Sequence, residues 1–173
     1  AAALARLVRA KAGVRTRVGA RASIPRSMFN RGRKQYVAEK LITLLSRPVG
    51  DRSVVIGLTL EDMYMKSLPY RFTFSIRGPA GWAVVSRARM DPVALGLDAD
   101  PALRMRRLQK MVLKNVGALS LGLPLSGNPR SAMSKTILSV DDLDYMTDDF
   151  RPAKPSGARR TWLARSDRVC KQA

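Results

Sequence analysis

Histidine is absent from this 173-residue sequence, and cysteine occurs once, at Cys170. Without histidine, the usual zinc sites and histidine-based catalytic pairs cannot be assembled. A single cysteine permits no internal disulfide, which excludes a small stapled scaffold. Acids are scarce: 13 Asp and Glu stand against 32 Lys and Arg, giving a formal net charge of +19. Aromatic residues make up 6%, and few lie in residues 1–38 or 151–173, so any nucleic-acid recognition by those ends is expected to go by charge rather than by base. The longest unbroken apolar runs, such as Val54 to Leu58, fall far short of the ~20 residues a membrane-spanning helix needs. A glycine-rich phosphate loop of the Walker type is also missing.

What is present suits one folded domain. The length lies within the ~100–200 residues usual for a domain, and 46% of residues are hydrophobic, enough for a core. The positive charge gathers at the ends. Residues 1–38 carry ten basic side chains and no acid, and residues 151–173 carry seven against Asp167 alone. Residues 39–150 hold fifteen basic and twelve acidic side chains, close to balance. Self-repelling ends with few large apolar residues are expected to order only against a polyanion or an acidic surface. Candidate contacts are Arg6, Arg9, Arg15, Arg17, Arg21, Arg26, Arg31 and Arg33 at the first end. At the other they are Arg151, Lys154, Arg159, Arg160, Arg165, Arg168 and Lys171. Residues 1–26 also fit an organelle transit peptide, being Arg-rich and free of acids. The start at Ala1 is read as processing or an incomplete chain.

Periodicity predicts a helix over 33–45, since Tyr36, Lys40, Leu41, Leu44 and Leu45 recur at three- and four-residue steps. Strands are expected at 53–60, 70–76 and 82–86, with a turn at Gly78-Pro79-Ala80-Gly81. A loop over 91–101 leads into a long helix from Pro101 to about Leu121, stopped by Gly122 and Pro124. Ser139-Val140-Asp141-Asp142 resembles a capped helix start. The order predicts an α+β domain with a small mixed sheet packed on helices and extended basic termini. The expected division is a basic extension over 1–30, a domain over 31–150 and a basic tail over 151–173.

Several of these segments carry a resemblance. Arg33-Lys34-Gln35-Tyr36, the strand ending in Thr59-Leu60-Glu61-Asp62-Met63-Tyr64, and Ala83-Val84-Val85-Ser86-Arg87-Ala88-Arg89 are similar to three motifs of the archaemetzincin family. These are R-x-Q-Y, T-x-x-D-x-Y and A-V-x-S-x-x-R. The helix from Arg104, the segment 122–133 with Met133, and Ser139 to Asp144 resemble the zinc helix, methionine turn and closing helix. The resemblance spans roughly residues 30–150 and implies a metzincin-like fold. Metzincins bind zinc through H-E-x-x-H-x-x-G-x-x-H. With its glycine on Gly122, Asn115 stands at the first histidine, Val116 at the glutamate, Leu119 at the second histidine and Leu125 at the third. Apolar side chains cannot ligate a dication, and valine cannot accept a proton. The resemblance therefore implies a pseudoenzyme with no catalytic residue, no metal and no cofactor. Leu119 and Leu125 are expected to close the former cavity as core.

Three further features carry less. Asp141, Asp142, Asp144, Asp148 and Asp149 lack the glycine and final glutamate of a calcium loop. Arg107, Lys110 and Lys114 share a helix face, either as a phosphate-binding ridge or as a solvated surface. Trp162 is a candidate to stack on a base or, the commoner case, to anchor the tail in an apolar groove. The leading expectation is a structural subunit of a large mitochondrial matrix assembly, with the ribosome favoured and rRNA or neighbouring subunits as partners. The alternatives are an accessory subunit of a respiratory or ATP-synthase complex, near an anionic membrane surface, and a zinc-independent hydrolase. No small-molecule substrate is expected.

Overall fold

The computed structural model describes residues 1–45, 53–79 and 81–150. Ala2–Ala12 form helix α1, rich in alanine, the best helix former. Leu4 and Val8, one turn apart, are buried in the main core, and α1 packs on the long helix. Gly13, at φ 68°, closes α1 and donates its N–H to Arg9 O. The expectation that the first basic segment orders only on a partner is thus corrected over α1. Its arginines point outward while the four-residue leucine–valine step supplies an apolar stripe.

Two three-stranded sheets follow. In the first, β1 (Phe29–Asn30) runs antiparallel to β2 (Gln35–Val37), and β2 pairs in parallel with β4 (Met63–Tyr64). Helix α2 (Ala38–Thr43) leaves β2 directly. The helix expected from residue 33 therefore begins five residues later. Lys34 sits at φ 53°, a conformation that stops a right-handed helix, and the Tyr36 N–H is taken by Asp62 O at 2.8 Å.

In the second sheet, β3 (Val55–Thr59) and β6 (Trp82–Ser86) are parallel, with Val55 opposite Trp82 and Thr59 opposite Ser86. β5 (Ser75–Arg77) lies antiparallel on the other side of β6. The strand expected over 70–76 is correct only in part. Phe74 O still accepts the Ser86 N–H at 2.9 Å, but residues 70–73 stay outside that ladder, and Thr73 N–H bonds instead to Met63 O of the first sheet. The expected loop over 91–101 contains a 3-10 turn at Pro92–Leu95.

Helix α3 (Pro101–Ser120) crosses this sheet. Asp100 caps it by accepting the Leu103 N–H at 2.7 Å, and Pro101 occupies the first turn. Helix α4 (Val140–Tyr145) starts in a full capping box: Ser139 Oγ accepts from Asp142 N, and Asp142 Oδ2 accepts from Ser139 N. α1, β6, α3 and α4 enclose one core around Val85, Met111, Leu113 and Leu143. A smaller core lies under α2, with Ala38, Leu41, Met63 and Val84.

Candidate functional site

The end of α3 and the loop after it place the residues of interest. Asn115 and Val116 are buried, Asn115 to 1% exposure. Asn115 Nδ2 donates to Met111 O at 2.8 Å, one turn back in the same helix, while its Oδ1 is buried with no partner. Leu119 is half-buried. The helix unwinds through Leu123 N–H to Gly117 O at 2.9 Å, with Gly122 at φ 62° making the turn that a side chain would resist. Leu125 then lies 46% exposed. The expected closure is corrected for Leu125, which the turn through Gly122 leaves exposed, while Leu119 stays half-buried.

Met133 reaches the helix from below. Ser126 N–H donates to Met133 O at 2.8 Å, and Ser126 and Ser134 form a parallel bridge that closes the loop. A Cβ added to Gly117 would stand 2.5 Å from Met133 Sδ and 2.8 Å from the Phe150 ring. Glycine at 117 is what admits both side chains beneath α3.

A polar lattice joins the first sheet to the end of the second. Asp62 Oδ2 accepts from Gln35 Nε2 at 3.0 Å and from Arg89 at 2.9 Å and 2.6 Å. Arg33 donates to Gln35 Oε1 and to the carbonyls of Tyr70 and Arg71, with its guanidinium 4.2 Å over the Tyr64 ring. Asn30 Nδ2 donates to the Tyr64 hydroxyl at 2.8 Å. Ser86 Oγ donates to Glu61 O at 2.6 Å, and Thr59 Oγ1 accepts the Glu61 N–H. Arg33, Gln35, Thr59, Asp62, Tyr64, Ser86 and Arg89, drawn from all three sequence motifs, are thereby linked, while Asp62 Oδ1 is buried without a hydrogen-bond partner among the described residues; sequence alone did not reveal this link.

The basic line on α3 is neither a phosphate ridge nor a solvated face. Arg107 is 3% exposed, donates twice to Asp144 (2.8 Å and 2.6 Å), and gives Nη1 to Met90 O. That pairing holds the guanidinium above its ordinary pKa. Lys110 Nζ donates to Leu143 O and Asp144 O, and burial lowers its pKa. Lys114 is buried too, and desolvation, reinforced by the like charge of Arg77, brings its amine down to about 8. The signal was available: Leu108, Met111, Val112 and Val116 surround this line on the helix.

No family model matches the chain. The archaemetzincin of Methanopyrus kandleri is 34% identical over 122 residues, covering 70% of this chain and 66% of that protein. The archaemetzincin of Haloquadratum walsbyi is 32% identical over 124 residues, covering 69% of this chain and 70% of that protein. The chain thus spans about two thirds of the length of these relatives. It belongs to the archaemetzincin family.

Solved archaemetzincin structures agree. The M. kandleri crystal structure superposes with a TM-score of 0.71 at 28% identity, over 97% of this chain and 85% of that one. A zinc-dependent peptidase from Methanocorpusculum labreanum shares the fold, with a TM-score of 0.73 at 21% identity over 86% of this chain and 87% of its own. The resemblance read from the motifs, and the α+β architecture with it, is therefore correct.

The zinc that the archaemetzincin fold implies does not suit the residues here. Of the four motif positions, Asn115 alone carries a polar atom, and Val116, Leu119 and Leu125 carry no donor. Among the described residues, no group of three or more Asp, Glu, Cys or His is placed to hold a metal ion. The acids near α4 have other partners: Asp142 caps the helix, Asp144 meets Arg107, and Asp148 pairs with Lys11 at 2.9 Å.

Arg6, Arg9, Arg15, Arg17, Arg21, Arg26 and Arg31 are all exposed, and Arg9 reaches back to Thr16 O. Arg33 differs, being held in the polar lattice. Arg151, Lys154, Arg159, Arg160, Arg165, Arg168 and Lys171, with Trp162 and Cys170, lie outside the described residues.

Proposed function

We propose that this archaemetzincin-family chain is a non-catalytic scaffold whose exposed basic side chains engage an anionic partner. The observation that carries the reading is the donor set at the end of α3. A metal-bound hydrolytic water needs ligands and a proton acceptor. Asn115 spends its amide on its own helix, Val116 is a hydrocarbon in the core, and Leu125 faces outward. The relatives' chemistry therefore has no residues here to act through. The test is metal analysis of the full chain after incubation with excess zinc, beside a peptidase assay. The expected result is no tightly held zinc and no zinc-dependent cleavage. Stoichiometric zinc that survives gel filtration would overturn the reading.

The finer proposal names the partner as rRNA within an organellar ribosome. Seven exposed arginines over residues 6–31 support it, since exposed guanidiniums release counterions on meeting phosphate. Copurification with rRNA, abolished by nuclease, is expected. Copurification with detergent-solubilised respiratory complexes instead would assign the chain to such a complex.

A further inference from the structure

Basic side chains and an exposed aromatic ring meet at one end of the first sheet. The turn between β1 and β2 carries Arg31, Gly32, Arg33 and Lys34, all exposed. Its shape is fixed from within. Lys34 N–H donates to Arg31 O at 3.3 Å, Arg33 N–H donates to Asn30 Oδ1 at 3.1 Å, and Phe29 and Tyr36 pack edge to face at 5.1 Å across the two strands. Arg33 then ties the turn to residues 70–71: its Nη2 donates to Tyr70 O at 3.1 Å and to Arg71 O at 3.0 Å. Gln35 Nε2 adds a second tie, to Arg71 O at 2.9 Å. Tyr70 and Arg71 therefore stand within one arginine side chain of the turn.

What these residues leave unused decides what they can bind. Arg33 spends its guanidinium on the fold. Among the described residues, the side chains of Arg31, Lys34, Tyr70 and Arg71 make no hydrogen bond, ion pair or ring contact. Arg71 is exposed, and Tyr70 is 48% exposed. No acid occurs in residues 29–37 or 65–77. The acids bonded to these segments are engaged: Asp62 Oδ2 accepts from Gln35 and Arg89, and Glu39 accepts the N–H groups of Lys66 and Ser67. Cations grouped without an acid attract phosphate. The free ring adds a face on which any unpaired base can stack. In a duplex the neighbouring bases already cover those faces, so a duplex could use the cations but not the ring.

We infer that the β1–β2 turn and residues 70–71 form a binding surface for single-stranded RNA, with Arg31, Lys34 and Arg71 on phosphates and the Tyr70 ring stacked on an unpaired base. The inference rests on the reading of rRNA as partner and deepens it. Residues 1–28 contain no aromatic side chain and offer charge alone, whereas this surface belongs to the folded domain and distinguishes single strands from duplex. It does not depend on the missing zinc donors.

The experiment is fluorescence anisotropy of the full chain with a labelled oligouridylate of about 12 nucleotides, and with the same strand paired to oligoadenylate, over a series of salt concentrations. Tyr70→Ala is expected to weaken single-strand binding about 5- to 100-fold, the range for one base–aromatic stack, and to leave the salt slope and duplex binding unchanged. Tyr70→Phe keeps the ring face and is expected to bind as wild type does. Lys34→Gln and Arg71→Gln are each expected to lower the slope of log affinity against log salt by about 0.7, the single-strand value for one phosphate contact. A Tyr70→Ala chain that binds the single strand as tightly as wild type overturns the surface and leaves the rRNA reading to residues 6–31. An equal loss on the duplex also overturns it, because stacking is then not what was removed. A wild-type chain that binds neither RNA removes the rRNA reading and this surface together.

Discussion

Lys114 gives the sharpest physical prediction, because its burial makes stability depend on pH in a direction opposite to that of a paired lysine. Its ordinary pKa is 10.5, and burial brings it to about 8 in the folded chain. Below pH 8 both folded and unfolded states carry the proton, and the full desolvation penalty applies. Between 8 and 10.5 the folded chain has released the proton and the unfolded chain still holds it, so stability grows with pH. Above 10.5 both are neutral and the penalty has gone. The gap of about 2.5 pH units, at ~1.36 kcal/mol each, sets an upper bound of ~3 kcal/mol. The amine keeps some contact with water, so the expected change is ~2 kcal/mol. Lys114→Met isolates this effect, because other lysines and tyrosines titrate alike in both proteins and cancel in the difference. Urea unfolding in chloride buffer at pH 7, 9 and 10.5 is the assay. At pH 7 the variant is expected to be more stable by ~2 kcal/mol, and by pH 10.5 the two should converge. A variant less stable than wild type at pH 7, or a difference that stays constant to pH 10.5, refutes the reasoning.

Three other perturbations test the packing. Arg107→Ala strands Met90 O and the Asp144 carboxylate; with Asp144 partly in water, the expected loss is ~3 kcal/mol by urea unfolding, the low end for a broken buried pair. Gly117→Ala gains ~1 kcal/mol of helix propensity but forces Met133 and Phe150 aside at ~1–3 kcal/mol. A net loss is expected, recovered in part when Met133→Ala is added; a stabilised single variant would show that the space beneath α3 is slack. Leu4→Ala should cost ~2–3 kcal/mol of global stability by the same assay, because Leu4 is part of the main core. An unchanged midpoint would mean that α1 is an independent arm.

The sequence disclosed those elements whose signals are local. Asp100-Pro101 and Ser139 with Asp142 mark two helix starts through side chains that cap the next few N–H groups, and both helices begin there. β3 and β6 are runs of β-branched residues with few competing tendencies. Elsewhere a distant partner decided the outcome. Tyr36 fits a helical step with Lys40, but its N–H belongs to Asp62 O across the sheet. Leu4, Leu7 and Val8 have helical spacing amid arginines, and the charge hid an apolar stripe that needs α3 to bury it. Lys114 looked like a surface residue because charge was weighed above its apolar neighbours. Leu125 was expected in the core because the motif places a ligand there, whereas the turn through Gly122 carries it outward.

The motif residues divide into two sets with no hydrogen bond between them among the described residues, which gives a physical reason why the fold can stand without the zinc donors. Arg33 donates to Gln35, and Gln35 and Arg89 both donate to Asp62 Oδ2, so the four form one connected chain of hydrogen bonds. Removing Asp62 would leave Gln35 Nε2 and the Arg89 guanidinium without their carboxylate, so a change at one position strands its partners. Asn115, Val116, Leu119 and Leu125 have no such partners. Asn115 bonds within its own helix, Val116 contributes hydrocarbon to the core, and Leu125 meets solvent. Side chains that serve a metal face a cavity rather than one another, and any residue of suitable volume can take their place. The lattice residues each lean on another's hydrogen bond, a physical reason for R-x-Q-Y, T-x-x-D-x-Y and S-x-x-R to stand together in a chain that carries Asn, Leu and Leu where the resemblance places histidines.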